Sequence, residues 1–116
     1  MEILDFVKTS QRITHNMLDD VLLADIRSGA EELMRAGVDP YARNEAGEYI
    51  LDASGDKTIM DNALIIRTID FWVKAVEDFE EKSDKYMKMF GMLRDSMAVS
   101  GDFNAQRSNH TDNDNQ

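Results

Sequence analysis

Apolar residues recur along most of this chain every three or four positions rather than every second one, which predicts helices. The first helix is expected from about Glu2 to Gln11, with Ile3, Phe6 and Val7 on one face. Asn16 followed by Asp19 has the spacing of a capping box, in which each side chain occupies a free backbone N–H. The helix after it carries Leu18, Leu22, Ile26, Gly29 and Leu33, spaced 4, 4, 3 and 4, with Val21 and Met34 widening the stripe. Gly37 suits a left-handed C-cap, and Asp39-Pro40 prevents a restart. Residues 37–60 lose the helical period and hold three glycines and the one proline. A loop of that length inside so small a domain is usually functional or disordered. Within it Tyr49-Ile50-Leu51 precedes the turn signal Ser54-Gly55-Asp56, as in a short β-hairpin.

Thr58 with Asp61 has the capping-box spacing again, and the most strongly patterned helix follows. Its stripe is Ile65, Ile69, Trp72, Val76 and Phe79, broadened by Leu64, Ile66 and Val73. So wide a face predicts a central helix contacted from more than one side. Glu77-Asp78 and Glu80-Glu81 sit where the helix dipole disfavours negative charge, which predicts a break near Lys82-Ser83. A last helix from about Asp84 to Val99 presents Tyr86, Phe90, Leu93 and Met97, and Gly101 ends it. From Asn104 onward the chain is almost purely polar and is expected to stay disordered when alone. No internal repeat is apparent. The pattern therefore predicts an all-α fold: about four helices in a small bundle over residues 1–103, a long central loop with a short hairpin, and a polar tail over 104–116.

Composition narrows the function. The 116 residues are 42% apolar, enough for one core. Thirteen Lys and Arg against 23 Asp and Glu leave a formal charge of −10. That charge opposes binding to nucleic-acid phosphates or to an anionic lipid surface. With no cysteine, disulfides and thiolate metal sites are excluded. No apolar run is long enough to span a membrane, and Glu2 and Asp5 do not fit a signal peptide. The expectation is a soluble, acidic, intracellular domain.

No residue pattern announces chemistry. His15 and His110 have no second ligand at helical spacing, so no metal is expected. Asp112-Asn113-Asp114 lacks the glycine and closing Glu of a calcium loop. Gly55-Asp56-Lys57-Thr58 resembles a phosphate loop but lacks its glycine spacing. The acidic pairs Asp19-Asp20, Glu31-Glu32, Glu77-Asp78 and Glu80-Glu81 are helix neighbours whose side chains diverge, and they read as a solvated acidic face. No catalytic residue and no cofactor is predicted. Four of the eight methionines, Met87, Met89, Met92 and Met97, crowd the last helix. A Met stripe is ordinarily core, but Tyr86, Phe90, Leu93 and Met97 already supply that seam. Met87, Met89 and Met92 remain for an adaptable protein contact, and Gly91 beside them leaves room for another backbone.

The order of segments resembles a known family. Arg12-Ile13-Thr14, Leu18-Asp19-Asp20 and a helix ending at Gly37 make up the first half. Asp61, Leu64-Ile65-Ile66-Arg67, Lys74-Ala75, Tyr86, Leu93 and the closing Ser100-Gly101-Asp102-Phe103-Asn104 make up the second. Together they resemble the gp6-like head–tail connector (adaptor, or head-completion) proteins of tailed bacteriophages and prophages, over most of residues 1–104. Thr68, the bulky Trp72-Val73 pair, Phe103 in place of a common tyrosine and the long central loop depart from that pattern.

The resemblance implies a non-enzymatic structural subunit of the virion, made in the host cytoplasm. It would assemble as a homo-oligomeric ring of about a dozen copies under the portal protein. The ring would extend the DNA channel without sequence-specific binding and carry the head-closure or tail-completion protein. By the same analogy Asp102, Phe103 and Asn104 dock on the portal, disordered until they meet it. Ring closure needs two different patches on each subunit. The candidates are Tyr41, Tyr49, Ile50 and Leu51 on the loop, and Met87, Met89 and Met92 on the last helix. Glu77, Glu80 and Glu81 are candidate channel-facing groups that would let DNA slide. Two other classes compete: a soluble helical regulator or inhibitor of one host or phage protein, and a small enzyme built from dispersed carboxylates.

Overall fold

The computed structural model describes residues 2–77 and 81–103. It contains four helices: α1 (Ile3–Ser10), α2 (Asp19–Arg35), α3 (Ala63–Glu77) and α4 (Ser83–Ser100). The fold is a small all-α bundle, as the periodicity predicts. Leu22, Ile26, Ala30 and Leu33 of α2, Ile65, Ile69 and Val73 of α3, and Phe90 and Met97 of α4 are buried together with Val7 of α1. The wide apolar face of α3 has the predicted consequence, for α3 packs against all three other helices.

Trp72 fastens the α2–α3–α4 junction. Its ring lies 5.1 Å from that of Phe90 on α4. On the other side it covers Gly29 of α2, where a Cβ would stand 2.9 Å from Trp72 Cδ1. Only a hydrogen at that position lets the indole lie flat on α2, so Gly29 belongs to the core stripe for a steric reason. Phe71 stacks on Tyr86 at 6.1 Å, a second link between α3 and α4. Val76 and Leu64 instead face solvent, as does Val21 of α2. The apolar stripes are narrower than the sequence implies. Phe79 lies outside the described residues.

Helix ends follow backbone chemistry closely. Gly37 has φ +88°. Its N–H donates to Met34 O at 2.9 Å and Val38 N–H to Leu33 O at 2.9 Å, the paired bonds of a Schellman motif. At α1 Arg12 takes the left-handed place, with φ 59°, and Ile13 N–H donates to Lys8 O at 2.8 Å. Gly101, φ 75°, ends α4. Neither expected capping box forms. Asn16 Oδ1 accepts from Lys8 Nζ at 2.8 Å, and Asp19 is ion-paired to the same ammonium. At α3 the cap is Asn62, whose Oδ1 accepts from Leu64 N–H at 3.0 Å and Ile65 N–H at 3.1 Å.

Thr58 is unavailable as a cap because it belongs to the loop, which is more ordered than a single hairpin. Three antiparallel bridges, Tyr41–Ile59, Arg43–Tyr49 and Leu51–Lys57, join three short segments pairwise. Ala42 N–H donates to Thr58 O, Thr58 N–H to Ile50 O, and Ile50 N–H to Ala42 O, so the segments close on one another. Residues 42, 50 and 58 are eight apart, and the chain repeats with that period. Tyr41 and Tyr49, Asn44 and Asp52, Gly47 and Gly55, Glu48 and Asp56 correspond. The two turns match in detail. Asn44 Oδ1 accepts from the N–H groups of Ala46 and Glu48, and Asp52 Oδ1 from those of Ser54 and Asp56. Gly47 and Gly55 have φ +83° and +86°. The chain thus holds an internal repeat, contrary to the sequence reading.

Candidate functional site

The meander presents one face to the bundle and one to solvent. On the inner face Asp39 collects its polar groups. Its carboxylate accepts from Arg43 Nη2 at 3.2 Å, from the Tyr49 hydroxyl at 3.1 Å and from Tyr41 N–H at 3.1 Å. Tyr41 is only 6% exposed, and its hydroxyl donates to Glu31 of α2. Burial and the Glu31 carboxylate push that phenol well above its usual range. Burial, then Asp39, pushes Tyr49 in the same direction. Lys57, the third member of the tyrosine series, lies 4.4 Å above the Tyr49 ring. Tyr41 therefore drops out as a surface candidate; it works inside the chain. The shallow recess beside it, about 350 Å³, is lined by Arg27, Glu31, Tyr41, Gly55, Asp56 and Lys57. An Arg27–Asp56 ion pair of 2.9 Å spans its wall, and its mixed charges select no one ligand chemistry.

The outer rim of the meander is different. Ile50 is 43% and Leu51 56% exposed, between the exposed carboxylates of Glu48 and Asp52. Glu45, Glu48 and Asp52 carry negative charge here, and the exposed Lys57 stands across the bridge from Leu51.

On α4 the methionines divide. Met92 is 64% and Val99 88% exposed, with Met87 and Met89 less so. At about 100° per residue, Lys85, Lys88, Met92 and Val99 fall within roughly 40° of one line, with Met89 roughly 60° to the side. Met87 points about 140° away from Met92 and shares a flank with Gly91. The three methionines expected to form one patch therefore occupy two. Around Gly91 an added Cβ would meet only Arg94 Nη2, at 3.7 Å, so no backbone among the described residues uses the space it leaves. Lys85 and Lys88 form no ion pair among the described residues; Lys85 lies 6.0 Å over the Tyr86 ring.

The segment expected to be free until docked is partly fixed. Phe103 packs against the core, and its carbonyl accepts from Asp39 N–H at 2.6 Å. That bond ties the end of α4 to the junction of α2 and the meander. Asp102 is exposed, with its N–H donating to Ser100 Oγ at 3.3 Å. Asn104 lies outside the described residues, as does the rest of the polar tail.

The acidic candidates also separate. Glu81 is exposed and left-handed, φ 56°, while Glu80 lies outside the described residues. Glu77 is half-buried and lies beside Asp25 of α2. Asp25 Oδ2 is sealed from solvent and has no hydrogen-bond donor among the described residues. Desolvation first, then a hydrogen bond to Glu77 and its negative charge, raise the Asp25 carboxyl to about 7. Neither the sequence spacing, 52 positions, nor any motif marks this pair. Asp70 is buried more deeply than Asp25, but Ser10 Oγ at 2.8 Å and Lys74 Nζ at 3.2 Å satisfy it; it ties α1 to α3.

Among the described residues no group of three or more His, Asp or Glu could hold a metal ion. None of the described helices is long and apolar enough to cross a membrane. No family model, no curated protein and no solved structure matches the chain.

Proposed function

We propose that this chain is a non-enzymatic structural subunit of the phage head–tail connector type, forming a ring under the portal protein in the virion. The ring extends the DNA channel and carries the head-closure or tail-completion protein. DNA passes through it without sequence-specific contacts, in keeping with the acidic surface. The observation that carries the reading is the pair of unlike exposed surfaces on separate elements, the Ile50–Leu51 rim and the Met92–Val99 stripe. A closed ring requires two different patches on each copy, whereas a regulator of one protein requires one. The polar sequence beyond Phe103 supports it as well, because it follows an anchored residue and provides a docking segment without core-forming groups.

The experiment is complementation in vitro. Purified protein is added to DNA-filled, portal-bearing heads that lack it, and nuclease-resistant DNA and tail joining are measured. Restoration of both supports the connector role. Heads that remain leaky and tail-less at saturating protein overturn it and favour the single-partner regulator.

A further inference from the structure

We infer that Phe103 is a clip: seated on the core it locks the meander through Asp39, and its release lets the meander open. The clip itself is independent of the ring; that docking of the chain end opens it rests on the connector reading. Val38, Asp39, Pro40 and Tyr41 form a run of buried residues between α2 and the meander. Proline has no N–H, so the backbone donors of this run are those of Val38, Asp39 and Tyr41. Val38 N–H bonds to Leu33 O at 2.9 Å in the Schellman motif, and Tyr41 N–H to Asp39 Oδ1 at 3.1 Å. Asp39 N–H instead donates to Phe103 O at 2.6 Å, at the far end of the described chain. With Phe103 away, that donor is left buried without its acceptor, which costs more than a hydrogen bond ordinarily contributes. The run must then loosen to admit water.

Asp39 carries that loosening into the meander. Its backbone is held by Phe103, while its carboxylate accepts from Arg43 Nε at 3.3 Å and Nη2 at 3.2 Å and from the Tyr49 hydroxyl at 3.1 Å. Arg43 also lies 3.9 Å over the Tyr49 ring, so Asp39 fastens the first two segments together. Pro40 O accepts from Met60 N–H at 2.8 Å, which fixes the end of the third segment to the same buried run. Three short segments with few cross-bonds of their own depend on such ties. Phe103 is placed to leave where a central core residue is not. It is half-buried and follows Gly101, whose left-handed backbone has already ended α4, so it swings out without unwinding the helix. By linkage, whatever takes Phe103 frees the meander, and whatever binds the closed meander holds Phe103 in its seat. On the connector reading, the portal is what takes it.

Amide hydrogen exchange of the full chain, followed residue by residue, tests the clip. Phe103→Ala should speed exchange at Ala42, Ile50 and Thr58, the meander's cross-bonded amides, by roughly ten-fold or more. Ile69 and Val73, buried on α3, should change much less. Phe103→Leu, which keeps an apolar side chain in the seat, should restore most of the protection, and a chain ending at Asn104 should behave as the full chain does. In an Asp39→Ala background the meander is already freed, so Phe103→Ala should add little. Unchanged meander exchange would overturn the inference, as would equal acceleration in the meander and α3, the mark of global destabilisation. Additive effects of the two substitutions would overturn the route through Asp39. The readouts separate the two proposals. Heads restored to nuclease resistance and tail joining by a chain that shows no clip leave the connector role standing and this inference wrong; a clip in a chain that restores no heads does the reverse.

Discussion

Replacing Asp25 with asparagine should stabilise the protein at pH 8, and by less than half as much at pH 5. In the folded chain the Asp25 carboxyl titrates near 7 rather than 3.8, chiefly because it is desolvated and secondly because it faces Glu77. The folded state therefore keeps a proton that the unfolded chain releases between about pH 4 and 7. Stability from this site falls as pH rises through that window and is fully lost above it. At about 1.4 kcal/mol per pH unit the displacement bounds the cost at roughly 4 kcal/mol. Solvent on the open side of the residue screens it, and about 2 kcal/mol is the working figure. The asparagine side chain presents an amide that donates to Glu77 at any pH, so the penalty disappears. Urea unfolding followed by Trp72 fluorescence, run at pH 5 and pH 8, measures the difference between the two chains. The variant should gain about 2 kcal/mol at pH 8 and less than half of that at pH 5, and Glu77→Gln, which leaves the desolvation of Asp25 in place, should gain less than Asp25→Asn. Equal stability of variant and parent at pH 8 would refute the raised Asp25 carboxyl.

Three further substitutions test the packing. Gly29→Ala sets about 1 kcal/mol of helix propensity against overpacking of about 1–3 kcal/mol from a Cβ driven into Trp72. A net thermal destabilisation of about 1 kcal/mol is expected, and it should vanish in a Trp72→Leu background. Gly91→Ala meets no such obstacle and should raise the stability of the isolated chain by about 1 kcal/mol by calorimetry. Asn62→Ala removes the cap of α3 and should cost about 1 kcal/mol in chemical denaturation, more than Thr58→Ala does.

Much of the fold was legible because helix periodicity and C-terminal glycines are local signals. Leu22, Ile26 and Leu33, Ile65 and Ile69, and Phe90 and Met97 are buried as their spacing predicts, and Gly37 and Gly101 stop helices as left-handed residues do. The N-termini were less legible. Asn16–Asp19 and Thr58–Asp61 have capping spacing, but tertiary partners claim Asn16, Asp19 and Thr58, and the nearer Asn62 caps α3. The eight-residue repeat was present in the sequence as Tyr41/Tyr49, Asn44/Asp52 and Gly47/Gly55. Its third member replaces tyrosine with Lys57 and lacks the turn, so an incomplete repeat passed for an irregular loop. The Asp25–Glu77 pair had no sequence signal because only the packed bundle brings its two helices together, whereas the Asp39 cluster lies within residues 39–49 and depends on how that loop folds on itself. The surface candidates were half legible. Composition pointed to the methionines of α4, but only helix geometry separates Met92 from Met87, and only burial removes Tyr41.

Electron microscopy of portal vertices tests the central claim most directly. Heads lacking this protein are imaged before and after its addition, with the full chain and with a chain ending at Phe103. A ring of added density under the portal, formed by the full chain and weakened in the shortened one, is the predicted result. Vertices that look the same with and without saturating protein would contradict the connector role.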